Sequence, residues 1–202
     1  MHHVGKKEFY EDAKHKIDSL IQDGYIIYYE NVNMPAGIDS LVKDTLYRKS
    51  RKITGVDLST MKANQGYIDT VNGTFMGLKA GFITKYKLVN QGKGMLPLKD
   101  SLHVKNVDAN FPQLIVACEK KFGPVELTSY DYDTKFGENY KSKKNEDLFN
   151  YFIVSFRNKL ITDSILNSSQ KKIAMIYGSL HFDGILENLT AADKNYKQVN
   201  SF

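Results

Sequence analysis

Apolar residues at Phe9, Ala13, Ile17, Leu20 and Ile21 recur every three to four positions, so residues 9–21 are predicted to form a helix with one apolar face. Gly24 stands where a helix end favours a left-handed residue, and Tyr25-Ile26-Ile27-Tyr28-Tyr29 then reads as a buried strand rich in aromatic and β-branched side chains. Residues 1–4 read as the tail of an earlier strand that enters the helix through Gly5. The first thirty residues are therefore expected to form most of a βαβ unit, with its first strand cut short. Ile38, Leu41, Val42 and Leu46 predict a helix over 38–49, opened by Pro35 and Gly37, and residues 111–122 predict another, with Asp108 or Asn110 as N-cap and Gly123-Pro124 as its stop. Phe149, Phe152, Ile153, Phe156, Leu160 and Ile161 form a continuous apolar stripe, which predicts a long helix over 148–166. Residues 172–177 read as a core strand ending at Gly178, and 185–189 as the start of a short helix.

Between these elements the pattern fades. The short segments holding Gly55, Gly66, Gly73, Gly77, Gly81, Gly92 and Gly94 carry no clear period, residues 91–97 read as loop, and 130–145 read as an excursion over the surface. Helical and strand patterns alternate without a repeat or a Gly-Ser linker, which predicts an α/β fold with a mixed, largely parallel central sheet and helices on its faces. At 202 residues the chain is expected to be a single domain over 1–202, large enough to bury a core without disulfides or a structural metal.

Composition narrows the classes. With 42% hydrophobic and 25% charged residues the chain is globular in type, and the lone Cys118 lies in an apolar run where a small buried thiol is expected. No apolar run approaches the roughly 18 residues of a membrane span, and Met1 is followed by two histidines and a glycine rather than by a basic segment leading into an apolar one, so the chain as written is expected to carry no signal peptide and to be cytoplasmic. A net charge of +5 invites a nucleic-acid reading, but the lysines are scattered. The densest group, at 141–144, is followed at once by Glu146 and Asp147 and reads as a solvated loop, so no nucleic-acid partner is expected.

The candidate chemistry sits at strand ends, where ligands of parallel α/β sheets usually bind. Gly178-Ser179-Leu180-His181 is a GxxH directly after a strand. Fourteen glycines and five histidines in 202 positions give about 0.3 such matches by chance, so its position rather than its pattern makes it informative. His3 stands at the end of the expected first strand, and Glu30 directly follows the strand over 25–29. Two imidazoles and one carboxylate suffice to hold a divalent ion that keeps an open position for water. A metal-free arrangement, with Glu30 orienting a histidine that acts as general base, is equally consistent with these residue types. Arg157 reads either as a partner of a carboxylate such as Glu30, as a binder of a substrate anion, or as a surface arginine. His15 falls on the polar face of the first helix, and at most one of His2 and His3 faces the site in an extended segment. His103 and Asp108 could mark a further strand end, though Asp108 reads first as a helix cap.

Met1-His2-His3-Val4-Gly5, the Phe9-Tyr10 helix, the strand ending at Glu30, the helical Arg157-Asn158, and Ile176-Tyr177-Gly178-Ser179-Leu180-His181-Phe182-Asp183-Gly184-Ile185 together resemble the TraB/Tiki group, which includes pheromone-shutdown proteins. The resemblance runs from residue 1 to about residue 190 and is strongest at the two ends. It implies a metal-dependent protease or other hydrolase. His3, Glu30 and His181 would hold a divalent ion (Mn²⁺, Co²⁺ or Zn²⁺), and Glu30, His181 and Arg157 would be the catalytic residues. The implied substrate is a peptide or small acyl compound. Some members are membrane-bound. The glycine of the first GxxH would fall one position before Met1, so part of the first strand is expected to be missing, and attachment to a membrane or envelope is expected only through such an upstream segment. A non-catalytic regulatory or binding domain of the same fold and a metal-free, esterase-like hydrolase remain the alternatives.

Overall fold

The structure is a computed structural model that describes residues 4–59, 68–71, 73–75, 78–92, 94–143 and 145–199. His2, His3, Gly66, Gly77 and Lys144, which figure in the readings above, lie outside the described residues. In chain order, β1 (Val4–Gly5), α1 (Lys7–Gln22), β2 (Ile26–Tyr29) and α2 (Ser40–Thr54) are followed by β3 (Ile68–Asp69), β4 (Thr74–Phe75), β5 (Leu78–Lys79), α3 (Phe82–Lys85) and β6 (Val89–Asn90). Then come β7 (Val104–Asn106), α4 (Phe111–Phe122), α5 (Ser129–Asp133), α6 (Glu146–Asn150), a π-helical turn at Tyr151–Ser155, α7 (Phe156–Leu166), β8 (Ile173–Ile176), a 3-10 turn at Ser179–His181 and α8 (Phe182–Ala192).

The fold is a mixed one of helix and strand, organised by a small parallel sheet with the strand order β7-β2-β8. Successive side chains of a strand face opposite ways, and β2 has two apolar faces to satisfy. Ile27 and Tyr29 pack with Tyr10 and Ile17 of α1, while Ile26 and Tyr28 pack with Ile161, Ile185 and Leu189 of α7 and α8. The run of apolar residues in β2 is thus explained by helices on both sides. A third cluster joins Leu46 and Ile53 of α2 to Leu114, Ile115 and Cys118 of α4 and to Phe152. Cys118 is free and buried, and burial pushes its thiol up to about 11.

Of the first strand of the expected βαβ unit, residues 1–4, only Val4 is among the described residues, and it does not show the parallel pairing such a unit needs. Both edges of β2 are already taken by β7 and β8, and β1 pairs antiparallel with β6 instead, Val4 opposite Asn90. Gly24 behaves as expected: its φ is +82°, its N–H donates to Ile21 O at 3.0 Å, and the Tyr25 N–H donates to Leu20 O at 2.9 Å, which closes α1 and aims the chain into β2. The second helix starts at Ser40 on its Asp39 cap and continues to Thr54, where Gly55 at φ +71° ends it. Asn110, not Asp108, caps α4: its side chain accepts from the Gln113 N–H, and the Gln113 side chain accepts from the Asn110 N–H.

The expected helix over 148–166 is helical throughout but contains the π turn, and its apolar stripe is split. Phe152 and its neighbours Ile153, Phe156 and Leu160 join the α2–α4 cluster, whereas Ile161 and Ile165 pack under the sheet. A π turn holds more residues than an α turn, so it rotates the following face relative to the preceding one.

Residues 130–145 are more anchored than a surface excursion. The Asp131 side chain is buried and accepts from Lys52 Nζ at 2.7 Å, from the Thr128 N–H at 2.7 Å and hydroxyl at 2.9 Å, and from the Tyr140 hydroxyl. Burial alone would raise its carboxyl, but Lys52, Tyr140 and Thr128 outweigh that and hold it well below the usual carboxylate range. Arg51, also buried, donates to the carbonyls of Asp131, Thr134 and Lys135, and its guanidinium lies 4.4 Å from the Tyr140 ring centre. Replacing Asp131 by Ala is expected to destabilise the protein by about 1–3 kcal/mol in urea denaturation, because four donor groups from Lys52, Thr128 and Tyr140 lose their acceptor. Unchanged stability would show that the segment is not anchored there.

Candidate functional site

Each strand of the parallel sheet delivers a polar group at its carboxyl end. Glu30 directly follows β2 and extends its ladder, with its N–H donating to Ile176 O at 3.1 Å. Asp108 follows β7 by two residues, and Tyr177 and Gly178 follow β8 and lead into the turn that carries His181. Arg157, at the start of α7, reaches these ends from the helix layer. Its Nε and Nη2 donate to the two oxygens of Asp108 at 2.8 and 2.6 Å, its Nη2 also donates to Glu30 Oε1 at 2.7 Å, and its Nη1 donates to Ile153 O at 3.0 Å in the π turn.

Glu30 is therefore held from two sides, since its other oxygen, Oε2, accepts from the Gly178 N–H at 2.6 Å. Burial alone would raise the Glu30 carboxyl, but contacts with His181, Arg157 and the Gly178 N–H outweigh it and hold the group well below the ordinary range. Burial would likewise lower Arg157, and its two carboxylate partners push it above its already high value. Burial pushes the Tyr177 phenol far up, with the nearby Asp108 adding to the shift. The side chains of Asp108, Arg157, Glu30 and His181 are 0%, 6%, 13% and 3% exposed, so these charges face one another with little water between them.

His181 ends the 3-10 turn, with its N–H donating to Gly178 O at 3.0 Å. Its Nδ1 lies 2.6 Å from Asn158 Oδ1, and its Nε2 lies 3.7 Å from Glu30 Oε1. Gly178 has an ordinary extended backbone, φ −61° and ψ 143°, so it is not there for a left-handed turn; what it supplies to the site is its N–H.

Three of the four residues singled out in the sequence thus come together: Glu30, Arg157 and His181. The fourth, His3, lies outside the described residues. Asp108 belongs to the cluster rather than to the cap of α4, and His103 lies before β7, at the opposite end from the cluster. His15 is exposed. Asn158 carries no sequence signal beyond its place next to Arg157. Buried Asp108 has a faint one, as the acidic residue two positions past a short β-branched segment.

Two side chains here, His181 and Glu30, could donate to a divalent ion. Ligands about 2.0–2.1 Å from a tetrahedral ion stand about 3.4 Å apart, and the 3.7 Å between His181 Nε2 and Glu30 Oε1 is close to that span. Among the described residues no three His, Cys, Asp or Glu side chains are grouped to hold an ion.

Compared with family models, curated proteins and solved structures, the chain matches none. Among the described residues no helix is long and apolar enough to cross a membrane.

The Glu30 carboxyl lies below its ordinary 4.5 in the folded chain. Its stabilising contribution is therefore complete above that ordinary value and is lost as pH falls from there through the folded value. Glu30→Gln is expected to be less stable than wild type by about 1–3 kcal/mol near neutrality. The gap should close on acidification below pH 4.5, as read from denaturant midpoints across pH. A gap that stays constant down to low pH would contradict the pairing.

Proposed function

We propose that this protein hydrolyses a peptide or another small acyl bond at the carboxyl ends of β2 and β8, with Glu30 and His181 as its water-activating pair, in the manner of the TraB/Tiki hydrolases. The observation that carries the reading is the approach of His181 Nε2 to Glu30 Oε1, 3.7 Å, at the carboxyl ends of two paired parallel strands. A divalent ion held by His181 and Glu30, with His3 as third ligand, would bring bound water toward neutral pKa and polarise a carbonyl. The protein side of the chemistry is positional. Glu30 is kept ionised by Arg157 and the Gly178 N–H, so its carboxylate is ready to orient a water or to stabilise a charged imidazole. Arg157 has four of its donor contacts within the protein, which suits a role in balancing the site charge better than one in gripping a substrate anion. As scaffold the proposal takes a single domain over 1–202 with a mixed, largely parallel central sheet flanked by helices; the parallel pairing of β2 with both neighbours supports it.

One observation favours the rival reading of a non-catalytic domain with the same fold. The His181 side chain is only 3% exposed, which leaves a substrate little access to it.

Calorimetric titration of the purified chain with Mn²⁺, Co²⁺ and Zn²⁺ separates the readings. The hydrolase reading expects one ion to bind and a folded His181→Ala variant to bind it at least about 100-fold more weakly, since a direct ligand matters more than the 10–100-fold of a supporting partner. It also expects hydrolysis of a peptide or ester panel that the variant lacks. Absence of both binding and hydrolysis in the wild-type chain would contradict it and favour the non-catalytic domain.

A further inference from the structure

The bond behind the His181 ring decides more than the ring's position. Asn158 Oδ1, 2.6 Å from His181 Nδ1, is an amide oxygen and can only accept, so the proton in that bond sits on Nδ1. Both residues are buried, at 3% and 4% exposure, and water does not compete for the contact. A neutral imidazole with its proton on Nδ1 turns its Nε2 lone pair toward the Glu30 carboxylate, but at 3.7 Å that contact between acceptors is looser than the 2.6 Å one it avoids at Asn158. The opposite tautomer would leave Nδ1 and the Asn158 oxygen as two buried acceptors facing each other.

The Asn158 amide is itself held from behind. A Cβ on Gly184 would stand 2.4 Å from Asn158 Nδ2, closer than side chains tolerate, so α7 and α8 approach here because residue 184 has no side chain. The Tyr177 ring meets the imidazole edge-on, 5.8 Å between centres at 75°, and limits rotation from another side.

We propose that Asn158 is a positioning residue that holds His181 as its Nδ1–H tautomer, with Gly184 providing the space for the amide, so that the Nε2 lone pair is the one presented to the strand ends. The functional weight of Asn158 rests on the hydrolase reading above; the tautomer assignment does not.

Long-range proton–nitrogen NMR of the imidazole groups, on the full chain without added metal, tests the assignment. The proposal expects the neutral His181 ring to carry its proton on Nδ1 in the wild type and in Asn158→Asp, which keeps an acceptor oxygen, and to lose that preference in Asn158→Leu. Should Asn158→Leu fail to fold, Gly184→Ala displaces the amide without removing it and is expected to show the same loss. A wild-type ring protonated on Nε2, or a preference unchanged when Asn158 is replaced or displaced, would overturn the proposal. Where a divalent ion binds, Asn158→Leu is expected to weaken it about 10–100-fold, with Asn158→Asp recovering most of the loss. A wild-type chain that shows the Nδ1–H tautomer yet binds no ion and hydrolyses nothing would sink the hydrolase reading and leave the tautomer assignment standing.

Discussion

The Arg157 guanidinium between Asp108 and Glu30 is the contact on which the strand ends depend. Three charged groups have been taken out of water there, and such burial is tolerated only when geometry and hydrogen bonding are nearly complete. The fork of Arg157 meets Asp108 with two parallel bonds and still reaches Glu30, an arrangement a lysine could not reproduce. Since Asp108 follows β7, Glu30 follows β2 and Arg157 opens α7, the contact fixes two strand ends against the helix that covers them. The Gly178 N–H on Glu30 adds the third strand. Removing either carboxylate would leave the guanidinium short of a partner in a dry site, whereas a surface ion pair such as Lys7–Glu11 contributes little.

The π turn at Tyr151–Ser155 belongs to the same arrangement. It separates the part of the helix that packs against α2 and α4 from the part that packs under the sheet, and Arg157 lies just past it, with one donor turned back to Ile153 O. Such turns are found disproportionately at functional sites. The second buried polar centre, around Asp131 and Arg51, differs in its buried cation: Arg51 bonds to main-chain carbonyls and stacks on Tyr140 and Phe136, and the centre joins residues 128–142 to α2. One centre shapes a site at strand ends, and the other fastens a segment.

Local rules carried much of this structure. The amphipathic period of α1, the left-handed Gly24 and the aromatic and β-branched run of β2 are properties of adjacent residues, and they are legible in sequence for that reason. The placement of Glu30 and His181 at strand ends followed from the same reading. What was not legible depends on residues far apart in the chain. Nothing near Val4 says that it pairs with Asn90, because strand pairing is set by which edges remain open. Asp108 and Asn110 are both fair caps by type, and only the arrival of Arg157 from 49 residues away removes Asp108 from the choice. The anchoring of 130–145 was hidden for a similar reason: its partners, Arg48, Arg51 and Lys52, lie on α2, about eighty positions earlier. Asn158 enters the sequence reading only beside Arg157 in the family resemblance, and its contact emerges only when the turn before α8 brings His181 against it.

The central claim is that the carboxyl ends of β2 and β8 form a cation site shared by His181 and Glu30. Anomalous diffraction from crystals grown with Mn²⁺ tests it most directly. The account predicts a single strong peak between His181 Nε2 and Glu30, with Arg157 still bridging Glu30 and Asp108. Well-ordered density for these side chains with no peak between them, or a peak elsewhere on the protein alone, would contradict it.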